Sequence, residues 1–400
     1  MYSVAFSRFI ESKIMSFRFL RFRPIKQLYL VVIALSMIAC LVFSALPVQA
    51  QKFTPVNIYV PKFQSPQGKS SIGGRTALIL GLQIWRTYSI ETKSPYLFDN
   101  ANIAYSLKFA PADYAEMEAL AKSLYKKPDL VLWGRASQYG NGIVVESNLW
   151  LPAGLTKKDR GANIWSITIP TGGKSQTISV DVPSRHYEFA PIVLDPAIIN
   201  THNPDSTYIN IYQLRSTAAV TIADLTSTNI QAKRHVGDWS EVILTDTHQS
   251  GWIYLPKISE NPSEVVNFCG AIIRFLRNDW AGSIKLFEDV LTNSKIPTDV
   301  KIDSYLYMSM AYDRMGDEAK SLSMVTKAYN LNPYSRVTTQ YLLMTYLTRL
   351  ARVFRIDPNA EQAKKIISSL QDVIARNRVL FADNDRWITQ AEKIIDQLNI

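Results

Sequence analysis

The sequence predicts a multidomain α+β protein: a small α/β domain, a compact β-barrel, and a C-terminal stack of paired α-helices. Three observations carry this reading. Between residues 53 and 155 the apolar spacing passes from strand-like to helical and back to strand-like. Residues 207–260 break into short alternating segments divided by turn residues. In the last third, turn signatures recur 38 residues apart, at Asn278-Asp279-Trp280 and Gly316-Asp317-Glu318, within otherwise helical sequence. A chain of 400 residues also favours several domains, on a prior of about 100–200 residues each.

Residues 1–50 read as a signal peptide or N-terminal anchor. Arg8, Lys13, Arg18, Arg21, Arg23 and Lys26 stand against the single acid Glu11, and an uncharged apolar run follows over 28–48. A basic start, an apolar run and Val48-Gln49-Ala50 at the end are the parts of an export signal. Cleavage after Ala50 would free a new start at Gln51. The run is also long enough to span a bilayer, so an uncleaved anchor is the alternative. Met37-Ile38-Ala39-Cys40 loosely resembles a lipoprotein box, although the chain stays apolar beyond Cys40. The expected location is the periplasm or cell envelope, with membrane contact through this segment if it is retained. The segment carries half of the +10 net charge, so the basicity is poor evidence for nucleic acid. No run of Lys and Arg interleaved with aromatics argues for a nucleic-acid partner.

The first folded domain is expected over 53–155. Val56-Asn57-Ile58-Tyr59-Val60 alternates as a strand, and 72–89 has helical spacing through Ala77, Leu80, Ile84 and Trp85. A second helix is expected over 112–126, opening at Pro111-Ala112-Asp113. Leu130 to Gly134 reads as a buried strand, and Gly140-Asn141-Gly142 turns the chain into a second strand over 143–151. The run Asp129-Leu130-Val131-Leu132-Trp133-Gly134-Arg135-Ala136, with the turn and strand after it, resembles the N-terminal α/β module of TolB-like envelope proteins. That resemblance covers about a quarter of the chain and implies protein contacts without catalytic residues. Phe63-Gln64-Ser65-Pro66-Gln67-Gly68-Lys69-Ser70 ends as a phosphate-binding loop does. Such a loop needs glycine where Phe63 stands, and Pro66 removes a backbone donor, so a solvated loop is expected.

Residues 156–206 are expected to be a β-rich linker region. Strands over 164–169 and 177–182 flank Gly172-Gly173, and a Pro/Asn/Asp-rich linker follows over 187–205, with Ile192, Val193 and Leu194 packed. Over 207–260, short strands fall at 209–212, 219–224, 230–233, 240–244 and 251–254. Gly237-Asp238-Trp239 and Ser250-Gly251-Trp252-Ile253-Tyr254 resemble the closing half of bacterial SH3-like domains. There glycine permits the tight turn and tryptophan fills one end of the barrel. Tyr212-Gln213-Leu214-Arg215-Ser216 keeps that family's arginine but lacks the proline after it.

Residues 262–400 are expected to form helical repeats. Tyr305, Met308, Ser309, Tyr312, Gly316-Asp317, Ser321, Ala328 and Pro333 fall at the signature positions of a tetratricopeptide repeat, which this unit resembles. A looser unit precedes it, with Ala271, Asp279, Ser283, Phe287 and Val290. A divergent pair follows over 337–354 and 360–376, with a turn at Asp357-Pro358-Asn359, and a capping helix over 385–398. The resemblance implies binding of peptides or protein segments on the curved helical surface. The alternative is that the helices pack only on the chain's own SH3-like part. The candidate protein-binding residues are Tyr305, Tyr312, Tyr341, Trp239, Trp252 and Tyr254.

No catalytic, cofactor or metal residue is assigned. His186, His202, His235 and His248 lack metal-ligand spacing, and His186 and His235, each after an arginine, are expected in solvated loops. Cys269 sits in an apolar helical stretch as a small buried hydrophobe. The expected function is a non-enzymatic envelope scaffold or adaptor that holds a protein or peptide partner through its helical repeats. The alternative is an accessory protein that binds peptidoglycan through the SH3-like part.

Overall fold

A computed structural model describes residues 56–66, 70–89, 101–106, 109–124, 128–140, 142–152, 164–171, 174–181, 185–194, 210–224, 230–244, 247–254, 264–356, 361–378 and 386–397. The expected export segment at 28–48, the tripeptide 67–69, His202 and the expected turn at 357–359 lie outside them.

The chain begins with β1 (Val56–Pro61), α1 (Ser70–Ser89), β2 (Ala101–Ser106), α2 (Tyr114–Ser123), β3 (Leu130–Tyr139) and β4 (Gly142–Trp150). Strands β2, β1 and β3 run parallel in that spatial order, and β3 turns back antiparallel into β4. Helix α2 is shorter than 112–126. Asp113 accepts a hydrogen bond from the Glu116 N–H, the Glu116 carboxylate accepts one from the Ala112 N–H, and Leu124 is already extended. Strand β2 was not anticipated. Alternation along β1 sends Val56, Ile58 and Val60 into the main core, with Leu78, Leu80 and Ile84 of α1. Tyr59 joins Met117, Ala121, Val131, Trp133 and Trp150 in a second cluster that includes α2.

β5 (Ile164–Thr171) and β6 (Lys174–Asp181) form a separate antiparallel hairpin, as the pair of glycines suggested. Part of the expected linker is strand instead. β7 (His186–Glu188) and β8 (Ile192–Leu194) both pair with β4 and complete the six-stranded sheet. Leu194 is buried, whereas Val193 is exposed. His186 is therefore not in a solvated loop. It lies half-buried, stacked on Trp133 at 5.7 Å and tilted against Tyr114 at 5.1 Å.

β9 (Asn210–Tyr212), β10 (Thr221–Asp224), β11 (Ile230–Val236), β12 (Trp239–Leu244) and β13 (Ser250–Tyr254) form a second sheet, in the order β10-β9-β13-β12-β11. Among the described residues no pairing joins β10 to β11, so closure into the barrel expected here is not shown.

The C-terminal region is helical: α3 (Glu264–Leu276), α4 (Trp280–Leu291), α5 (Thr298–Arg314), α6 (Glu318–Leu331), α7 (Arg336–Ile356), α8 (Glu361–Arg378) and α9 (Arg386–Gln397). The 38-residue spacing has a structural counterpart. Asn278 and Gly316 both take positive φ, at 63° and 82°, where glycine is the usual choice. The aspartate after each caps the next helix: Asp279 accepts from the Gly282 N–H and Asp317 from the Lys320 N–H. The crossing of each pair is fixed by a buried serine. Ser283 Oγ donates to the Ala271 carbonyl; at the equivalent positions 38 residues on, 309 and 321, the direction reverses, and Ser309 Oγ donates to the Ser321 carbonyl.

Residues 53–400 form one compact unit, and the helices share their core with the first sheet. Helix α1 lies against α3. A Cβ on Gly270 would fall 2.1 Å from Thr87 Oγ1, so only glycine lets the two helices come this close. Arg274 Nε and Nη2 both donate to the Thr87 carbonyl, and Asp279 holds the same guanidinium at 2.6 Å.

Candidate functional site

Alternation along β12 and β13 sorts the second sheet into two unlike faces. Ile211, Val242, Leu244 and Ile253 are almost wholly buried and belong to the main core. The opposite face carries Tyr212, Trp239, Trp252 and Tyr254. Trp239 stands opposite Tyr254, and Trp252 opposite Tyr212, in the strand register. The Trp239 ring meets Tyr254 at 5.0 Å and Tyr212 at 5.9 Å. Trp239, Trp252 and Tyr254 are half-buried, and Tyr212 lies deeper.

Two charged groups edge this aromatic row. The Arg215 guanidinium sits over the Trp252 ring, 5.8 Å from its centre, in cation–π geometry. Glu241, opposite Trp252 in register, is buried and accepts a hydrogen bond from Lys233 at 2.7 Å. Arg215 belongs to the loop between β9 and β10, which is closed by a Gln213 N–H to Val220 carbonyl bond. That loop also presents Leu214 and Val220, 64% and 67% exposed. Half-buried rings, a cation and two exposed aliphatics can stack on and enclose an extended segment.

The structure thus brings together three of the six expected contact residues, Trp239, Trp252 and Tyr254, and adds Tyr212, Arg215, Leu214 and Val220. Tyr212 and Arg215 were visible only as part of an opening motif. Their place beside Trp252 depends on β9 pairing with the distant β13, which no local pattern reports. The other three sit on helices. Tyr305 is half-buried with Lys327 Nζ 5.6 Å from its ring centre, and Tyr312 has Lys320 Nζ at 5.2 Å. Burial raises the Tyr312 hydroxyl pKa, with Glu288 adding to it. Tyr341 is 1% exposed inside the core, so its ring presents no contact surface.

Helix α5 turns its Asp303 face to β7. The Asp303 carboxylate is fully buried, accepts a hydrogen bond from the Tyr187 hydroxyl at 2.5 Å and pairs with Arg185 at 2.8 Å. Tyr187 also meets Phe268 edge-on at 5.0 Å, and the aromatic contacts continue through Phe287 to Tyr307. Burial is the largest influence on Asp303 and pushes its pKa up to about 7, against the opposing pull of Arg185. Part of the inner helical surface is therefore used within the chain. It packs on the first sheet, and the β5–β6 hairpin lies against α7.

Cys269 is buried in α3, and burial pushes its thiol pKa far up. Among the described residues no group of three or more His, Cys, Asp or Glu is placed to hold a metal ion, and no helix is long and apolar enough to cross a membrane. No family model matches the chain, and no curated protein matches it significantly.

Proposed function

We propose that the chain is a non-enzymatic scaffold or adaptor of the cell envelope that holds an extended peptide segment of a protein partner on the aromatic face of its second sheet. The observation that carries this reading is the sorting of that sheet. One face is core, while Tyr212, Trp239, Trp252 and Tyr254 line the other, beside Arg215, Leu214 and Val220. Tyrosine, tryptophan and arginine are the residue types that dominate binding energy in protein interfaces.

The finer fold reading belongs to the same proposal. An SH3-like origin for 207–260 is supported by Gly237 at a positive φ of 60° just before Trp239, and by the Gly251-Trp252 opening of the last strand. A tetratricopeptide-like origin for 262–400 is supported by the matched caps Asp279 and Asp317 and the matched serine bonds. The parallel β2-β1-β3 core with its hairpin supports a TolB N-terminal-like module over 53–155. The helices were first expected to be the binding element. Asp303 and its partners favour a bracing role for the inner face of α5, which leaves the sheet as the contact surface. The export reading of residues 1–50 remains part of the proposal and rests on their sequence.

Two assays on the whole purified chain decide between a protein partner and cell wall. Selection from a displayed peptide library should return segments that bind saturably, and purified peptidoglycan should leave the protein in the supernatant. Co-sedimentation with peptidoglycan and no selected peptide would replace this reading with the wall-binding one.

A further inference from the structure

We infer that a cleft between β1 and β3 binds a small oxyanion, the carboxylate or phosphate group of a soluble ligand, through Lys62 and Arg135. The cleft has a volume of about 440 Å³ and is lined by Lys62, Gln64, Ser65, Pro66, Ala110, Arg135 and Ser137. That volume lies within the ordinary range for small-molecule sites.

Its place in the fold follows from topology. The chain passes from β1 through α1 to β2 on one side, then through α2 to β3 on the other, giving the order β2-β1-β3. Where the strand order reverses, the connections leave in opposite directions, and a crevice opens beyond the strand ends; open α/β sheets bind ligands there. Lys62 follows the last residue of β1. Arg135 lies on β3, in a parallel bridge with Gln64.

The walls are built before any ligand arrives. The Gln64 N–H donates to the Gly134 carbonyl at 2.8 Å, and the Ala136 N–H donates to the Gln64 carbonyl at 2.7 Å. Phe63 is fully buried and anchors the segment, with its N–H donated to the Gly73 carbonyl.

The charge in the cleft is one-sided. Among the described residues no carboxylate lines it. Glu146 stands opposite Arg135 in the β3–β4 register but does not line the cleft. Asp113 and Glu116, at the start of α2, are tied to the N–H groups of Glu116 and Ala112. Arg135 offers a planar fork for two oxygens of one anion, Lys62 a compact charge, and Ser65 and Ser137 hydroxyl donors. A carboxylate or a phosphate fits this chemistry equally.

Calorimetric titration of the purified chain with inorganic phosphate, and separately with succinate, at matched ionic strength, tests the site. At least one should bind saturably, and which one does names the group. Arg135→Gln and Lys62→Gln should each weaken that binding tenfold or more, while Lys122→Gln, an exposed lysine on α2, should leave it unchanged. Arg135→Lys keeps the charge but loses the fork, and should fall between. Circular dichroism of each variant confirms folding, since Arg135 is exposed and Lys62 half-buried. Absence of saturable binding by either anion would overturn the proposal, as would binding that survives the double Lys62→Gln, Arg135→Gln variant.

Discussion

Replacing Asp303 with Asn should make the stability of the protein less dependent on pH. Asp303 sits wholly inside the joint between α5 and β7, and its pKa is pushed up to about 7, chiefly by burial. In the unfolded chain the same group titrates near about 3.9. Between about pH 4 and 7 the folded protein therefore holds a proton that the unfolded chain has released. Stability falls as pH rises through that window and levels off above it. At about 1.36 kcal/mol per pKa unit, a difference of about three units corresponds to a loss of about 4 kcal/mol. Asparagine mimics the protonated carboxyl in shape, still accepts from the Tyr187 hydroxyl and cannot ionise. The variant should match the parent near about pH 3, below both pKa values, and exceed it by up to about 4 kcal/mol near pH 8. The assay is urea unfolding of both proteins across that range, plotted as the difference, so that groups titrating alike in both cancel. A difference that stays flat with pH, or one that favours the parent more as pH rises, would refute the reasoning.

Gly270→Ala should strain the α1–α3 contact, where the new methyl meets Thr87 Oγ1, at a cost of about 1–3 kcal/mol; faster hydrogen exchange in α1 than in α8 would locate the damage. Asp279→Ala removes a helix cap and also the carboxylate that steadies Arg274, and should cost about 1–2 kcal/mol in urea unfolding. Cys269 should resist alkylation in the folded protein at pH 8 and react only on denaturation, because burial disfavours its thiolate; a rapid reaction under native conditions, followed by mass spectrometry, would show the helix to be more open than described.

Much of the architecture was written in local pattern. The spacing of Ala77, Leu80, Ile84 and Trp85 marks α1, the glycines at 140 and 142 mark the β3–β4 turn, and the aspartates at 279 and 317 mark the helical pairs. The misses have a common physical cause. The strands β7 and β8 are three residues long, and only their pairing with β4 makes them strands. The segment Ala101–Ser106 carries little propensity of its own and is defined by its place beside β1. In α5 the polar residues Asp303, Ser304 and Ser309 are all buried: Ser304 bonds the Val300 carbonyl of its own helix and Ser309 the Ser321 carbonyl of the next, whereas Asp303 depends on Tyr187 of β7, a partner no local pattern reports. The candidate site shows the same division. Trp239, Trp252 and Tyr254 announced themselves through motif, whereas the cation over Trp252 and the exposed Leu214 and Val220 needed the sheet to be assembled.

That sheet face is also where the account is most exposed to test. The decisive measurement is the affinity of one library-selected peptide for the parent chain and for Trp252→Ala and Tyr312→Ala, with folding checked by circular dichroism. Loss of a central aromatic should cost about 2 kcal/mol or more, which is roughly thirtyfold in affinity, for Trp252→Ala. Tyr312→Ala should bind as the parent does. Undiminished binding by Trp252→Ala, or a loss confined to Tyr312→Ala, would move the partner to the helices and contradict the account.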